Sequence, residues 1–199
     1  MSSLPERIME YAEARPEATP LCSTALLHLG NRSAVDQALS RLTRSGRLMR
    51  ICQGIYMRPI DTRFGIRAPS VHKVLTSLSA LWGEAIVPHG GSAANRLGLT
   101  LQNPVREIYL TSGRSRRLHF GEHYIVELRH APRWQLISPY RKAGDVIRAL
   151  AWLGPEEIED GLDVVLPALS IEDMDELSAA RAVMPVWMAE AMSTRLSHG

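Results

Sequence analysis

The sequence predicts an α+β protein: an N-terminal winged helix-turn-helix, then a mixed α/β domain, then a helical C-terminal tail. Three observations carry that class. The first 60 residues read as helices followed by a tight hairpin, residues 85–129 hold short alternating strands, and residues 143–196 are helical runs broken by proline. At 199 residues and 45% hydrophobic content the chain can bury a real core.

Ser3 with Glu6 matches a capping box, and Leu4, Ile8, Tyr11 and Ala12 follow at helical spacing until Arg15-Pro16 ends the run. Ser23 can cap a second short helix over 24–29, ended by Gly30 at a position that favours positive φ. A third helix starts near Arg32, after the short Gly30-Asn31 turn. Two helices joined by a short glycine-containing turn are the composition cue of a helix-turn-helix.

On the third helix Val35, Ala38, Leu39 and Leu42 form one stripe, and Gly46 stops the run. The opposite side collects Ser33, Gln37, Ser40 and Arg44, with Arg41 on its flank. Residues 48–51 and 55–57 read as two strands around the turn Cys52-Gln53-Gly54, and Pro59 ends the second. Residues 1–60 are therefore assigned to the winged helix-turn-helix, 61–69 to a linker and 70–199 to the α+β domain with its acidic helical end. Within that domain a helix is expected over 70–82 and a strand over 85–87. A short helix from Ser92 to Leu97 stops at Gly98, and strands follow over 105–111, 117–120 and 124–129.

The formal net charge of +2 conceals a partition. Residues 1–67 have ten basic and six acidic side chains, 68–142 have ten and four, and 143–199 have three and eleven. A basic front can meet a polyanion, while the acidic end can meet a basic partner or the chain's own body. Asp36 is the one acid between residues 32 and 59. In that setting Gln37 can pair bidentately with adenine, and Arg41 or Arg44 can pair with guanine or hold phosphate. Ser33, Ser40 and Thr43 can donate to phosphates, and Arg47, Arg50 and Arg58 around the hairpin supply sequence-independent attraction. The basic segment with Arg106, Arg114, Arg116, Arg117, Arg129 and Arg133 can extend such a footprint or meet an acidic protein surface.

Other chemistries fare worse. His119-Phe-Gly-Glu-His123 spells H-x-x-E-H, but Gly121 and the flanking alternation make it a hairpin turn rather than a zinc-binding helix. From Thr62 to Gly144 there is no aspartate, which weighs against two-metal nuclease chemistry. The run PHGGSAANRLGL lacks a phosphate-loop pattern and reads as a turn with an N-cap at Ser92. Cys22 and Cys52 form no CxxC, so reduced thiols in a cytoplasmic protein are expected. No apolar run approaches membrane-span length. Neither an enzyme, a cofactor nor a metal site is expected.

GIYMRP at 54–59, TRFG at 62–65 with Pro69, IVPHGGSAANRLGLTLQNP at 86–104 and REIYLTSGRSRRLHFG at 106–121 together resemble the AbiEi-like antitoxins of AbiE-type (type IV) toxin–antitoxin operons. The resemblance spans most of residues 5–150. It implies a bacterial antitoxin whose winged helix binds repeats in its own promoter, represses the operon and opposes a nucleotidyltransferase-like toxin, with or without direct contact. It maps the DNA-reading face onto Ser33, Gln37, Ser40, Arg41 and Arg44, with the wing around Arg50. The expected partners are thus double-stranded promoter DNA, bound by paired copies where half-sites repeat, and the toxin; no membrane is expected. A winged-helix regulator without a toxin partner is the alternative.

Overall fold

A computed structural model describes residues 2–102 and 105–196; Asn103 and Pro104 of the LQNP motif lie outside them. The chain divides into two units, residues 1–84 with 117–126, and 85–116 with 127–199. Residues 61–84 thus group with the N-terminal ones, beyond the boundary set at residue 60 from sequence.

Helix α1 (Leu4–Glu13) opens where the Glu6 carboxylate accepts the Ser3 N–H at 2.7 Å. After strand β1 (Leu21–Cys22) comes a single 3₁₀ turn, Ser23–Leu26, and then helix α2 (Arg32–Arg44). The sequence expectation of a helix over 24–29 is corrected here: the Leu27 N–H goes to the Thr24 carbonyl at 3.5 Å and the Leu29 N–H to the Leu26 carbonyl at 2.9 Å, three residues back rather than four, so the segment is wound as tight turns and not as an α-helix. Gly30 is corrected too, because its φ is not positive. What it supplies is space: a Cβ there would lie 3.2 Å from Leu4 Cδ2, so α1 can pack close to the turn. Asn31 caps α2 by accepting the Ala34 N–H at 2.9 Å, and Gly46 follows the helix at φ +73°.

Strands β2 (Met49–Cys52) and β3 (Ile55–Met57) form the expected hairpin, with Gly54 at φ +74° in its turn. β1 adds to it antiparallel, giving a sheet in the order β1-β3-β2. Ile8, Leu21, Leu26, Val35, Leu39 and Leu48 meet in one core. The segment expected to be a linker is instead a second hairpin, β4 (Ile60–Thr62) with β5 (Gly65–Arg67), paired Thr62 to Gly65 and Ile60 to Arg67. Helix α3 (Val71–Trp82) begins at the Ser70 cap and ends at Gly83, φ +64°.

In the second unit β6 (Ile86–Pro88) leads into α4 (Gly90–Arg96), whose cap is His89 rather than Ser92: its ring Nδ1 accepts the Gly91 N–H at 3.2 Å. Strands β7 (Glu107–Thr111), β8 (Arg116–His119) and β9 (Ile125–His130), of which residues 117–126 group with the first unit, complete a sheet in the order β6-β7-β9-β8. Helix α5 (Lys142–Leu153) packs closely on α4. A Cβ on Gly90 would collide with the Arg148 carbonyl oxygen and lie 2.6 Å from Trp152 Cβ, so the small residues of PHGGSAAN are a packing surface. At this contact Asp145 takes Arg96 at 2.8 Å and Arg148 at 2.6 Å. Arg148 is almost wholly buried and also donates to the Gln135 and Pro139 carbonyls at 3.3 and 3.4 Å. Burial pulls its guanidinium below the usual arginine range, against the support of Asp145.

Helices α6 (Ile158–Val165), α7 (Ile171–Ala180) and α8 (Val186–Leu196) follow. Met184, Met188 and Met192 are buried among Ile147, Leu150 and Leu162. The methionine stripe is core. Several tail acids are paired within this unit: Glu172 and Glu176 with Arg141 at 3.1 and 3.0 Å, and Glu159 and Asp163 with Arg195 at 3.4 and 3.1 Å. No helix among the described residues is long and apolar enough to cross a membrane.

Two stability experiments follow from this packing. Gly90→Val is expected to destabilise the protein by about 1–3 kcal/mol or more in urea melts, because α4 must move off α5. At α7, Ser170 Oγ donates to Asp173 Oδ2 at 2.8 Å and accepts the Asp173 N–H at 3.1 Å. The Ser170 hydroxyl chiefly holds the Asp173 carboxyl below its ordinary value. A carboxyl lowered in the folded state adds stability above the unfolded pKa of about 4, and that stability is lost as pH falls through the lowered value. Ser170→Ala should cost about 1 kcal/mol at pH 7 and flatten the loss of stability between pH 5 and pH 2, read by denaturant titration at each pH.

Candidate nucleic-acid interface

The core contacts of α2 decide which side of it faces solvent. Val35, Ala38, Leu39 and Leu42 are buried, and at about 100° per residue this turns Ser33, Gln37, Ser40, Arg41 and Arg44 outward, where all five are exposed. These five residues line one shallow, solvent-open depression of about 810 Å³ together with Arg32 and Asp36. From Ser33 to Arg44 the face runs about 16 Å along the helix axis. Its polar atoms lie at i, i+4, i+7, i+8 and i+11, so one ligand laid along the helix can reach them all.

Two members of this face were not picked out from the sequence. Arg32 and Asp36 are four residues apart, and Arg32 Nε donates to Asp36 Oδ2 at 3.3 Å. The i, i+4 spacing could have revealed the pair. Its consequence is electrostatic: the face has a carboxylate after all, but one already matched by a guanidinium. Arg41 and Arg44 then supply the surplus positive charge. Both lie in the last turn of α2, where they also complement the helix dipole. Arg44 Nη2 donates to Ser40 Oγ at 3.2 Å, which holds the guanidinium along the face.

Thr43 is a correction. Its hydroxyl donates to the Leu39 carbonyl at 2.8 Å within the helix and the residue is half-buried, so it is not part of the exposed polar face. Arg47, Arg50 and Arg58 are exposed as expected but do not line the depression. Arg50 stands on β2 opposite Tyr56, Arg58 follows β3, and Arg47 sits after α2. Arg47 also contributes weakly to lowering the Glu6 carboxyl, which the Ser3 backbone N–H and hydroxyl lower more.

In the second unit Arg129 is tied to Glu127 at 2.9 Å, which reduces its availability to a partner. Both histidines of the H-x-x-E-H run are exposed: His119 ends β8 and His123 lies in the turn after it, with Gly121 at φ +105° and the Phe120 N–H donating to the Tyr124 carbonyl at 2.9 Å. They do not share a helical face. Among the described residues no group of three or more His, Cys, Asp or Glu side chains is placed to hold a metal ion. Cys22 and Cys52 are half-buried, and burial raises the Cys22 thiol above its ordinary value.

No curated protein matches the chain. Among solved structures, the crystal structure of the RV2827C protein from Mycobacterium tuberculosis is similar in fold. The two align with a TM-score of 0.51 at 18% identity, over 99% of this chain and 77% of that one. Residues 7–170 match the family model of DUF6088, a family of unknown function, and the chain belongs to that family.

Proposed function

We propose that this protein is a DNA-binding antitoxin that represses its own operon and opposes a nucleotidyltransferase-like toxin. The observation that carries the DNA-binding part is the exposed face of α2, where Ser33, Gln37, Ser40, Arg41 and Arg44 line one open depression opposite a buried apolar stripe. In this reading α1, the 3₁₀ turn and α2, with the sheet β1-β3-β2, act as a winged helix-turn-helix. The single 3₁₀ turn takes the place of the second helix, and β2–β3 is the wing.

The length of the face suits this role. A reading face about 16 Å long spans a major groove about 12 Å wide and reaches the phosphates on its flank. Ser33 and Gln37 occupy the N-terminal half of α2, the end that a recognition helix turns toward base edges. The Gln37 side chain can donate from its NH2 to adenine N7 and accept from the adenine N6 amino group at its carbonyl oxygen. Arg41 and Arg44, one and two turns further on, fit the sugar–phosphate edge, and Arg47, Arg50 and Arg58 add contacts that carry no sequence information. The antitoxin part rests on the resemblance of GIYMRP, the PHGGSAANRLGL block and the LTSGRSRR strand to AbiEi-like antitoxins. In the cell the protein is read as cytoplasmic, without a cofactor or catalytic activity of its own.

Arg41→Ala combined with Arg44→Ala should weaken binding to the promoter duplex by about 1–3 kcal/mol for each arginine that pairs with a base edge, or evenly across sequences if both arginines hold phosphate. Gln37→Ala should relax preference at one base pair while leaving the salt dependence intact. Gel shifts at several salt concentrations measure both, and unchanged binding by the double variant would refute the assignment of α2. Suppression of the toxicity of an adjacent gene by co-expression tests the antitoxin role separately.

A further inference from the structure

The β4–β5 hairpin has no part in the α2 face. Phe64, at its tip, is 85% exposed, and Ile66 beside it is 66% exposed. Large apolar side chains this open on a two-stranded ribbon gain nothing from the fold's core. The ribbon is also cationic: Arg58, Arg63 and Arg67 are exposed on or next to it, against Asp61 on the ribbon and the nearby Glu17, whose carboxyl is lowered chiefly by Lys73 and more weakly by Arg67. Its tip is well defined. Thr62 Oγ1 donates to the Gly65 carbonyl at 2.7 Å and accepts the Phe64 N–H at 3.2 Å, and Gly65 adopts φ +109°, a conformation that disfavours any other residue. The Arg63 guanidinium stands 4.7 Å from the centre of the Phe64 ring, so cation and ring are presented together. Pro59 and Pro69 bracket the ribbon and restrict its two ends.

We infer that the β4–β5 hairpin is a second DNA-binding element, in which the Phe64 ring wedges against an unstacked base step while Arg63 and Arg67 hold the neighbouring phosphates. An apolar wedge flanked by arginines is the combination that distorts a duplex, since unstacking needs a flat apolar surface and the adjoining backbone is anionic. A binding site for a polyanion accounts for both the arginines and the exposed ring; a purely apolar partner would leave the arginines unmatched. The inference rests on the DNA-binding reading of α2, and it assigns to a different element the task of deforming the DNA.

The test uses the full chain and a 40-base-pair duplex from immediately upstream of its own gene, with 2-aminopurine placed at successive steps. Wild-type protein should raise 2-aminopurine fluorescence at one step. Phe64→Ala should abolish that rise and weaken binding about tenfold with the salt slope unchanged, and Phe64→Trp should restore both. Arg63→Ala with Arg67→Ala should lower the slope of log affinity against log salt by about 2. Phe64 is exposed, so circular dichroism should show the variants folded. If Phe64→Ala binds and unstacks like wild type while the Arg41/Arg44 double variant fails to bind, the hairpin inference is overturned and the α2 reading stands. Loss of toxin suppression by Phe64→Ala with DNA binding intact would equally overturn it and mark the hairpin as a protein-binding element. Failure of the wild-type protein to bind any duplex would overturn both.

Discussion

The rotational setting of α2 is the constraint on which the N-terminal unit depends. Four apolar side chains at i, i+3, i+4 and i+7 commit one side of the helix to the core shared with α1, the 3₁₀ turn and Leu48. Burial of groups of this size is worth roughly 1.5–3 kcal/mol for each large side chain. A modest rotation would bring Ser40 or Gln37 into that core without partners, at comparable cost. The same energetics that stabilise the fold therefore hold the polar face outward, and hydrogen bonding at Asn31 and the turn at Gly46 fix where that face begins and ends.

The second unit is organised around close approach. Gly90 lets α4 come up against the backbone of α5, and the approach encloses Arg148. A guanidinium out of water requires partners: Asp145 and two carbonyls supply them to the two terminal nitrogens of Arg148 while its Nε has none, and Arg96 takes the other oxygen of the same carboxylate. Acidic side chains that look like an interaction tail in the sequence are in part matched locally by Arg141 and Arg195. Exposed pairs of this kind add little stability, but they lower the negative charge left over for an outside partner.

Much of the secondary structure was legible because it rests on local signals. The α2 stripe, the cap at Ser3 and the turns at Gly46, Gly54 and Gly98 are written in residues a few positions apart. Where the expectation failed, the causes differ. Residues 21–22 pair with Tyr56 and Ile55, more than thirty positions away, a strand that no local run announces. Residues 60–67 show no run long enough to announce strands, yet the Thr62–Gly65 turn closes a hairpin. Ser92 was a plausible cap by type, but the chain leaves β6 at Pro88 and turns into a helix at once, so the cap falls on His89.

By itself the sequence determined the mixed α and β class, the amphipathic phase of α2 and the identity of the polar residues on its outer side. Each follows from side-chain spacing along one segment. The tertiary structure alone decided that residues 21–22 join the β2–β3 hairpin as a third strand. It also decided that the glycines after His89 are packing surface and that Phe64 stands in solvent at the tip of a ribbon. These outcomes depend on what lies across from a residue in space, and spacing along the chain does not contain that information.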